Sequence, residues 1–499
     1  MQTIRQHLRR ALSYPGQRKI TILLLVYAAL GLVLFYSYIY NDILETTRMG
    51  IRFWEMLFDG RIRDFYVTSA AMNPAAYAKD VQASYDFPIY ILFAVWDFPL
   101  YLISRFTGID VFQSLGCLLW MKTMLLVCSF VFAKAFYLLA RTAGLERERA
   151  LLACILFYTS NLFMTSVVVL SAYDLLALLF VVRGITCWLK GDQKGFFLQF
   201  MLAIPLKMFA LLIFLPLLLL RQKNVLKILG CSVLGMVLVP LCRILIPCTG
   251  GGSGIHLADM FRGTELGNVA VSYVITYHSD MVLGEIYYSV IAFGILMAVC
   301  YFIRPETADQ YCTWGIYVCF LSYAVLFTTC ISHPYWVIML IPFTSLLTMR
   351  NKESVHINTL LDTVGTWGIL LAQLFYFPWC FGNALVTNLF WPKLLGSKEF
   401  EQFHLVSLLS SRMDAEALRK LTNGAESLGS TVFLACILMM SVLNFPSVQH
   451  LLYGKAGSRS LTLIHSDGSA EGWVFVLRLL SGAALGLLPL VMYVLWIAQ

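Results

Sequence analysis

The sequence predicts an all-α, polytopic membrane protein with about 12 to 13 transmembrane helices. Hydrophobic residues make up 59% of the 499 residues and charged residues only 13%, with a mean hydropathy of +0.76. These values lie far from the balance of soluble domains. Apolar runs of about 18 to 22 residues recur, each long enough to cross a hydrocarbon layer of roughly 30 Å as a helix. Strand-like alternation is absent, which argues against a membrane β-barrel.

Basic residues are distributed as in a membrane protein. The formal net charge is +8, but the Lys and Arg residues are divided among short loops beside apolar runs, which is typical of cytoplasmic loops. We therefore expect membrane lipids, and no nucleic acid, among the partners. The 13 cysteines lie almost entirely inside apolar runs without a CxxC pair. Neither a disulfide framework nor a cysteine-based metal or redox site is expected.

The chain opens with a basic stretch, residues 1–19, and an apolar run over 20–40. The run is too long for a typical signal sequence, so it predicts an uncleaved anchor. With the N-terminus inside, this helix delivers residues 41–87 to the outer face as a first outer loop, which is rich in charge. The apolar stretch that follows contains Asp97 and Pro99. A re-entrant or interfacial helix is expected there instead of a clean span.

Basic connectors orient the remaining apolar runs. They place a Gly-rich loop, 248–283, and a segment, 382–429, on the same outer face. The chain then divides into a transmembrane module over 20–350 and a C-terminal transmembrane module over 351–499. Further spans are predicted near 118–139, 150–169, 173–189, 208–220, 228–246, 284–302, 312–331, 335–349, 360–380, 431–445 and 473–497, with short helical pieces near 196–204 and 412–421.

Two carboxylates, Asp42 and Glu45, open the first outer loop directly after the first helix. A carboxylate fixed at the membrane rim can take a proton from an acceptor hydroxyl, as the general base of an inverting group transfer does. The alternative is that both residues are solvated at a helix end.

Tyr85 and Asp86 precede Phe87 and Pro88 where the chain re-enters the bilayer. Aromatic rings are favourable at the membrane interface, and this segment could line a pocket for a sugar or a lipid head group. The alternative is that it only anchors the chain at the interface.

Asp174 and Lys207 are ionisable residues beside apolar runs. A buried Asp174 needs a partner, and the candidates are Lys122, Lys207 and a substrate hydroxyl; the alternative is that it caps the next helix. Lys207 lies at an outer helix start, where the helix dipole disfavours a cation unless it meets an anion. It is therefore a candidate phosphate ligand, with snorkelling to the interface as the alternative.

His333 and Tyr335 lie on an outer turn and suit a phosphate or sugar contact, although a lone His in a turn is often merely exposed. The glycine run over 250–254 follows no strand, so it predicts a flexible loop and not a nucleotide cradle. Arg262 in this loop joins the site if the loop folds over it. Weaker candidates in the later outer segment are Lys393, His404 and Arg412.

Taken in order, these motifs resemble those of the GT-C fold glycosyltransferases. The most similar branch is the integral-membrane mannosyltransferases that use a polyprenyl-phosphate sugar, including the GPI mannosyltransferases and bacterial polyprenyl-phosphate mannosyltransferases. The match covers 20–350 and gives Asp42 the catalytic acidic position. Glu45 follows after three residues instead of two, and Thr46 replaces the usual Tyr, so Asp59 and Asp64 stay open as alternatives for the base. The matching stretches are Asn41-Asp42-Ile43, Tyr85-Asp86-Phe87-Pro88, Ala172-Tyr173-Asp174, Ile204-Pro205-Leu206-Lys207-Met208-Phe209 with Leu215-Pro216, and His333-Pro334-Tyr335-Trp336 before Ile341-Pro342.

The resemblance implies a GT-C-like bundle in the cell membrane, with its active site on the extracytoplasmic face. It would move a sugar, mannose or another hexose or pentose, from a polyprenyl-phosphate donor to a glycan or lipid acceptor with inversion. Lys207, with Arg262 or His333, would hold the donor phosphate. A divalent cation could assist, although the carboxylates show no specific ligand spacing.

Two other functions remain open. One is a polyisoprenoid-lipid transporter or flippase, which often carries an internal repeat that this sequence lacks. The other is a surface-polysaccharide polymerase or ligase, which shares lipid-linked substrates and a large outer loop.

Overall fold

The computed structural model describes residues 15–66, 83, 85–247, 278–281, 284–382, 384–387, 389–396, 403–446 and 470–498. Helices dominate this part of the chain, together with a two-stranded antiparallel sheet. Several of the helices are long and apolar enough to cross a membrane. The predicted class, an all-α polytopic membrane protein, is confirmed.

The described helices and strands have the following bounds. In chain order they are α1 (Pro15–Phe35), α2 (Asn41–Phe58), α3 (Phe87–Thr107), α4 (Leu115–Thr142), α5 (Arg147–Tyr158), α6 (Asn161–Phe163, continued by a π-helical turn over Met164–Val169), α7 (Asp174–Lys190), α8 (Gln193–Leu206), α9 (Leu211–Arg221), α10 (Val225–Met236), α11 (Leu238–Leu245), β1 (His278–Met281), β2 (Gly284–Tyr287), α12 (Tyr288–Phe302), α13 (Ala308–Thr329), α14 (Ile341–Arg350), α15 (Val355–Tyr376), α16 (Ala384–Thr387), α17 (Trp391–Leu395), α18 (Leu405–Ser410), α19 (Ala415–Leu443) and α20 (Ala470–Ile497). Short 3₁₀ turns lie at Ile62–Asp64, Met208–Ala210, Trp336–Leu340, Lys352–Ser354 and Pro378–Phe381.

Five of the described helices have the length and composition of a membrane span: α3, α4, α13, α19 and most of α20. The number rises to seven if each of two bent pairs is one span, α5 with α6 and its π-helical turn (48°) and α10 with α11 (43°). Shorter apolar helices, including α1 and α12, lie in other predicted spans. Full-length helices are therefore fewer than the predicted total of about 12 to 13 spans.

The start of the predicted outer loop is a helix. Along α2 the buried residues Ile43, Thr47, Gly50 and Ile51 recur at helical spacing, which gives the helix one face to pack and one charged face. The face formed by these buried residues packs against α3. Gly50 permits the close approach, because a Cβ there would lie 3.0 Å from the backbone of α3.

Helix α3 is continuous, whereas the sequence suggested a re-entrant or interfacial segment at Asp97 and Pro99. The helix has Pro88 at its start and Pro99 inside, and it ends at Gly108 in the left-handed conformation. Asp97 is fully buried within the protein, so its carboxyl group does not face the hydrocarbon of the membrane and the helix continues past it. The segment is among the helices long and apolar enough to span.

The predicted short helix over 412–421 and span over 431–445 are parts of one helix, α19. It begins after Asp414, whose carboxylate accepts a hydrogen bond of 2.7 Å from the backbone N–H of Ala417. This capping contact fixes where the helix starts. The predicted outer segment 382–429 therefore ends inside a helix.

The chain forms two compact units. Unit 1 contains the described residues of Met1–Tyr40, Leu145–Ser171 and His333–Gln499. Unit 2 contains those of Asn41–Gly144 and Ala172–Ser332.

Within unit 1 a buried guanidinium joins three helices. Arg478 of α20 is 1% exposed and lies 2.6 Å from the carboxylate of Asp362 in α15. It also donates hydrogen bonds to Thr363 and to the carbonyl oxygen of Leu156 in α5. Because its donors are used, the charge is stabilised inside the helix packing.

Candidate functional site

The centre of the candidate site is a buried ion pair in unit 2. Asp174 occupies the first turn of α7, and Lys207 follows α8 in extended backbone before a 3₁₀ turn. The Lys207 Nζ lies 2.6 Å from Asp174 Oδ1, with the two side chains 9% and 3% exposed. Of the three partners expected for Asp174, the structure pairs it with Lys207. Asp174 thus neutralises the ammonium, which acts in a pair and not as an isolated cation.

Aromatic rings surround this pair. The Lys207 Nζ lies 5.6 Å from the ring centre of Tyr85 and 5.7 Å from that of Phe209, distances that suit cation–π attraction. The Tyr85 ring meets the Tyr173 ring edge to face at 5.6 Å. Lys207 is therefore held in a pocket of rings with its ammonium beside Tyr85.

The two tyrosines remain protonated. Burial, together with the carboxylates of Asp42 and Asp174, raises the pKa of Tyr85 well above its usual range. Burial also raises the pKa of Tyr173, to which Tyr85 and Asp42 contribute. These effects place Asp42, Asp174 and both phenols in one electrostatic neighbourhood. A neutral phenol can donate a hydrogen bond to an anionic oxygen.

The first turn of α2 is attached to this cluster through Thr46. Its hydroxyl lies 3.1 Å from the Tyr173 hydroxyl and 2.7 Å from the backbone carbonyl oxygen of Asp42. Asp42 itself is half-buried. The two carboxylates predicted from the sequence, Asp42 and Glu45, thus lie on the helix turn that contacts the Tyr85–Tyr173 pair.

Glu45 is half-buried and holds a proton more tightly than a solvated Glu. Burial, and secondly the nearby Asp42 carboxylate, raise its pKa from 4.5 to about 7, against the effect of Arg48. The proximity of Asp42 couples the two carboxyl groups. A carboxyl group with a pKa near neutral is matched to general acid–base chemistry at physiological pH.

The other acidic residues of the first outer loop differ from this pair. Asp59, at the end of α2, is 55% exposed and lies 3.1 Å from Arg61. Asp64 is half-buried in the 3₁₀ turn that follows. Asp59 therefore has the environment of a solvated surface ion pair.

Asp86 binds Arg243, a residue that was not predicted to belong to the site. Its two carboxylate oxygens accept hydrogen bonds of 2.9 and 3.2 Å from Arg243 in α11. The two side chains are 7% and 13% exposed. This bidentate pair fixes the start of α3, directly after Tyr85, and so positions the aromatic part of the site.

The remaining predicted residues lie elsewhere. Lys122 is buried in the middle of α4 of unit 2. His333 and Tyr335 belong to unit 1, where the His333 ring stacks on Tyr335 at 5.3 Å and lies 4.5 Å from Phe377. Arg262 lies outside the described residues.

Of the weaker candidates, His404 caps α18 by accepting a hydrogen bond of 3.2 Å from the N–H of Ser407. Lys393 lies in α17, and Arg412 follows α18. All three belong to unit 1. Among the described residues, no three His, Cys, Asp or Glu side chains are grouped so that they could hold a metal ion.

The structure thus assembles five predicted residues of unit 2 in one cluster: Asp42, Glu45, Tyr85, Asp174 and Lys207. Tyr173 and Thr46 complete its contacts, and Arg243 binds the adjacent Asp86; none of the three was predicted as a site residue. Tyr173 precedes Asp174 in the stretch Ala172-Tyr173-Asp174. Its aromatic ring beside a candidate site residue was the signal in the sequence that could have identified it. Comparisons with protein-family models, with curated proteins and with solved structures found no match to this chain.

Proposed function

We propose that the chain is an inverting membrane glycosyltransferase that moves a sugar, mannose or another hexose or pentose, from a polyprenyl-phosphate donor to a glycan or lipid acceptor. The observation that supports this function best is the cluster in unit 2. It combines Glu45, whose pKa is raised, and the neighbouring Asp42 with an ammonium and two phenols, which are groups that displacement of a phosphate from a sugar can use.

The carboxylate pair supplies the base. Glu45, with a pKa of about 7, is half ionised at neutral pH, and Asp42 lies beside it. In the proposed step this pair takes the proton of the acceptor hydroxyl while the acceptor oxygen bonds to the anomeric carbon. The bond from that carbon to the phosphate oxygen breaks, and its electron pair leaves on the polyprenyl phosphate. Attack opposite the leaving group inverts the anomeric centre.

Lys207 and Tyr85 act on the leaving phosphate. The Lys207 ammonium is a three-donor group that lies 2.6 Å from Asp174. Asp174 balances the charge of the ammonium, so the long-range electrostatic attraction of Lys207 for the phosphate is weak. Lys207 acts on the phosphate mainly through hydrogen bonds. Negative charge that develops on the phosphate in the transition state strengthens the hydrogen bonds donated by Lys207. The neutral phenol of Tyr85 donates a further hydrogen bond to the same group. Arg262 is a further candidate cation for the phosphate.

The proposed site faces the extracytoplasmic side of the cell membrane. This assignment rests on the basic N-terminal stretch, residues 1–19, which favours the cytoplasmic face and so puts residues 41–87, beyond the first apolar run, on the opposite face. A lipid-linked donor also suits the sequence, since no separate nucleotide-sugar domain is visible in it.

A transfer assay tests the proposal. Purified protein in lipid nanodiscs is supplied with polyprenyl-phosphate sugars and with glycan or lipid acceptors, and transferred sugar is measured. Asp42→Asn and Glu45→Gln should each lower the transfer rate by about a hundredfold or more, the range that general base catalysis contributes. Donor binding should stay near wild type in both variants.

Matched controls lie on α2 and directly after it. Asp59→Asn and Glu55→Gln remove carboxylates that are 55% and 41% exposed and that pair with neighbouring arginines. Both controls should keep wild-type transfer. Full transfer by Asp42→Asn and Glu45→Gln would remove the pair from the role of base. Movement of the lipid across the bilayer with no transfer by wild type would favour the transporter instead.

A further inference from the structure

A separate cavity in unit 2 lies where the ends of four helices meet. It has a volume of about 80 Å³ and is lined by residues of α7, α8, α9 and α10 together with Gln222. Three aromatic rings, those of Trp188, Phe196 and Phe197, form much of its wall, with Arg221 and Cys231 on other sides. A volume of this size holds several water molecules, and therefore has room for a small polar group.

Arg221 is the charged group in this cavity. Its guanidinium carbon lies 4.8 Å from the ring centre of Trp188 and 5.7 Å from that of Tyr311. Among the described residues it has these ring contacts but no ion pair and no hydrogen bond to the protein. A half-buried guanidinium with its N–H donors unused is suited to an anionic oxygen ligand, which it can bind in a bidentate manner.

The helix beside the cavity has a bare apolar surface. On α10, Val225, Leu226, Leu229 and Val233 are 58%, 80%, 58% and 69% exposed. This helix and α11 together have the composition of a bent membrane span. Hydrocarbon chains are the natural covering for such a surface in a membrane protein.

Cations are concentrated at the same junctions. Lys190 ends α7, Lys194 begins α8 and Lys227 begins α10, and all three are exposed. The acidic residue nearby, Asp192, accepts a hydrogen bond of 2.9 Å from the N–H of Gly195 as a helix cap. The local excess of positive charge favours an anion at this end of the unit.

We propose that this cavity binds the phosphate head group of an anionic phospholipid. The Arg221 guanidinium donates to the phosphate oxygens, and the acyl chains lie along the exposed face of α10. A zwitterionic lipid carries a choline or ammonium group that the lysines repel, so the site selects anionic lipids. The inference does not depend on the proposed sugar transfer, because none of these residues belongs to the Asp42–Lys207 cluster.

Native mass spectrometry of the full chain tests this inference. Protein released from detergent is titrated with phosphatidylglycerol or with phosphatidylcholine, and bound lipids are counted. Wild type should retain one phosphatidylglycerol at concentrations where phosphatidylcholine is lost. Arg221→Gln should bind phosphatidylglycerol about tenfold to a hundredfold more weakly, as expected when a charged hydrogen-bond donor is removed.

Lys420→Gln is the matched control, since it removes an exposed cation of unit 1 that does not line the cavity. It should keep the retained lipid. Cys231→Phe fills the cavity from α10 without altering Arg221, so it tests the site even if Arg221→Gln fails to fold. Equal retention by wild type and by either cavity variant would overturn the proposal. Saturation by inorganic phosphate, with no displacement by phosphatidylglycerol, would also overturn it and indicate a soluble anion.

Discussion

Replacement of Lys207 by Met should strongly destabilise the protein, because it leaves the Asp174 carboxylate buried without its partner. Asp174 is 3% exposed in its side chain and lies 2.6 Å from the Lys207 ammonium. Met keeps most of the volume of the Lys stem but removes the charge. The variant must then either bury an unpaired carboxylate or protonate it.

Removal of one partner of a buried ion pair lowers the free energy of unfolding by about 3 to 5 kcal/mol. We expect Lys207→Met to fall in this range. Asp174→Asn should have a smaller effect, since the remaining ammonium keeps the ring faces of Tyr85 and Phe209. The double variant should recover most of the loss, because replacement of a whole buried pair is often neutral.

The measurement is the free energy of unfolding in mixed micelles for wild type, both single variants and the double variant. Lys420→Met is the matched control. Lys420 also lies 2.7 Å from a carboxylate, Glu416, but the two side chains are 73% and 68% exposed. Water screens such a pair, so the control should lose less than about 1 kcal/mol.

The cycle would refute the reasoning in two ways. A loss in Lys207→Met no greater than that in Lys420→Met would mean that the pair is solvated or absent. Additive losses in the double variant would mean that the two side chains do not act on each other.

Three other predictions concern charged residues of both units. Glu45 has a pKa raised from 4.5 to about 7, so as the pH rises from 4.5 the unfolded state releases this proton first and the stability falls until about pH 7. Glu45→Gln should abolish that fall in a pH series of unfolding free energies, and should remove the rise in transfer rate through pH 7. Arg243→Lys should recover only part of the loss in thermal stability caused by Arg243→Leu, because Lys cannot bind both oxygens of Asp86 as Arg does; equal stability of Lys and wild type would contradict the bidentate contact. Arg478→Met should lower the unfolding free energy by about 3 to 5 kcal/mol, since it leaves Asp362 buried and unpaired, and an unchanged value would contradict the contact seen in unit 1.

The sequence predicted the helical membrane class correctly, because long apolar runs can be satisfied only by helices in a bilayer. It also named Lys207 among the partners of Asp174, since a buried charge requires an opposite one. A buried charge needs an opposite charge nearby, however far apart the two residues are along the chain.

The contacts that were missed depend on three-dimensional packing. Asp86 and Arg243 are 157 residues apart, and no local pattern links them. Arg478 and Asp362 are 116 residues apart, although an Arg inside an apolar run is itself a signal of a buried partner. These pairings are set by how helices pack, which residue spacing does not encode.

Helix α2 was predicted as part of a loop because it is rich in charged residues, although its buried residues recur at helical spacing. The signal was present in Ile43, Thr47, Gly50 and Ile51, which recur on one face. Helix α19 was likewise predicted as two separate pieces, because its first half is polar and its second half apolar, although the helix is continuous. Both cases show that charge content alone does not separate a loop from an amphipathic helix.

The most direct test of the proposed site is a structure of the protein in a lipid nanodisc with a polyprenyl-phosphate sugar bound. The account predicts a phosphate oxygen within hydrogen-bond distance of the Lys207 Nζ, about 3 Å, with the anomeric carbon directed to Asp42 and Glu45. A donor phosphate bound away from Lys207, including one in the Arg221 cavity, would contradict it.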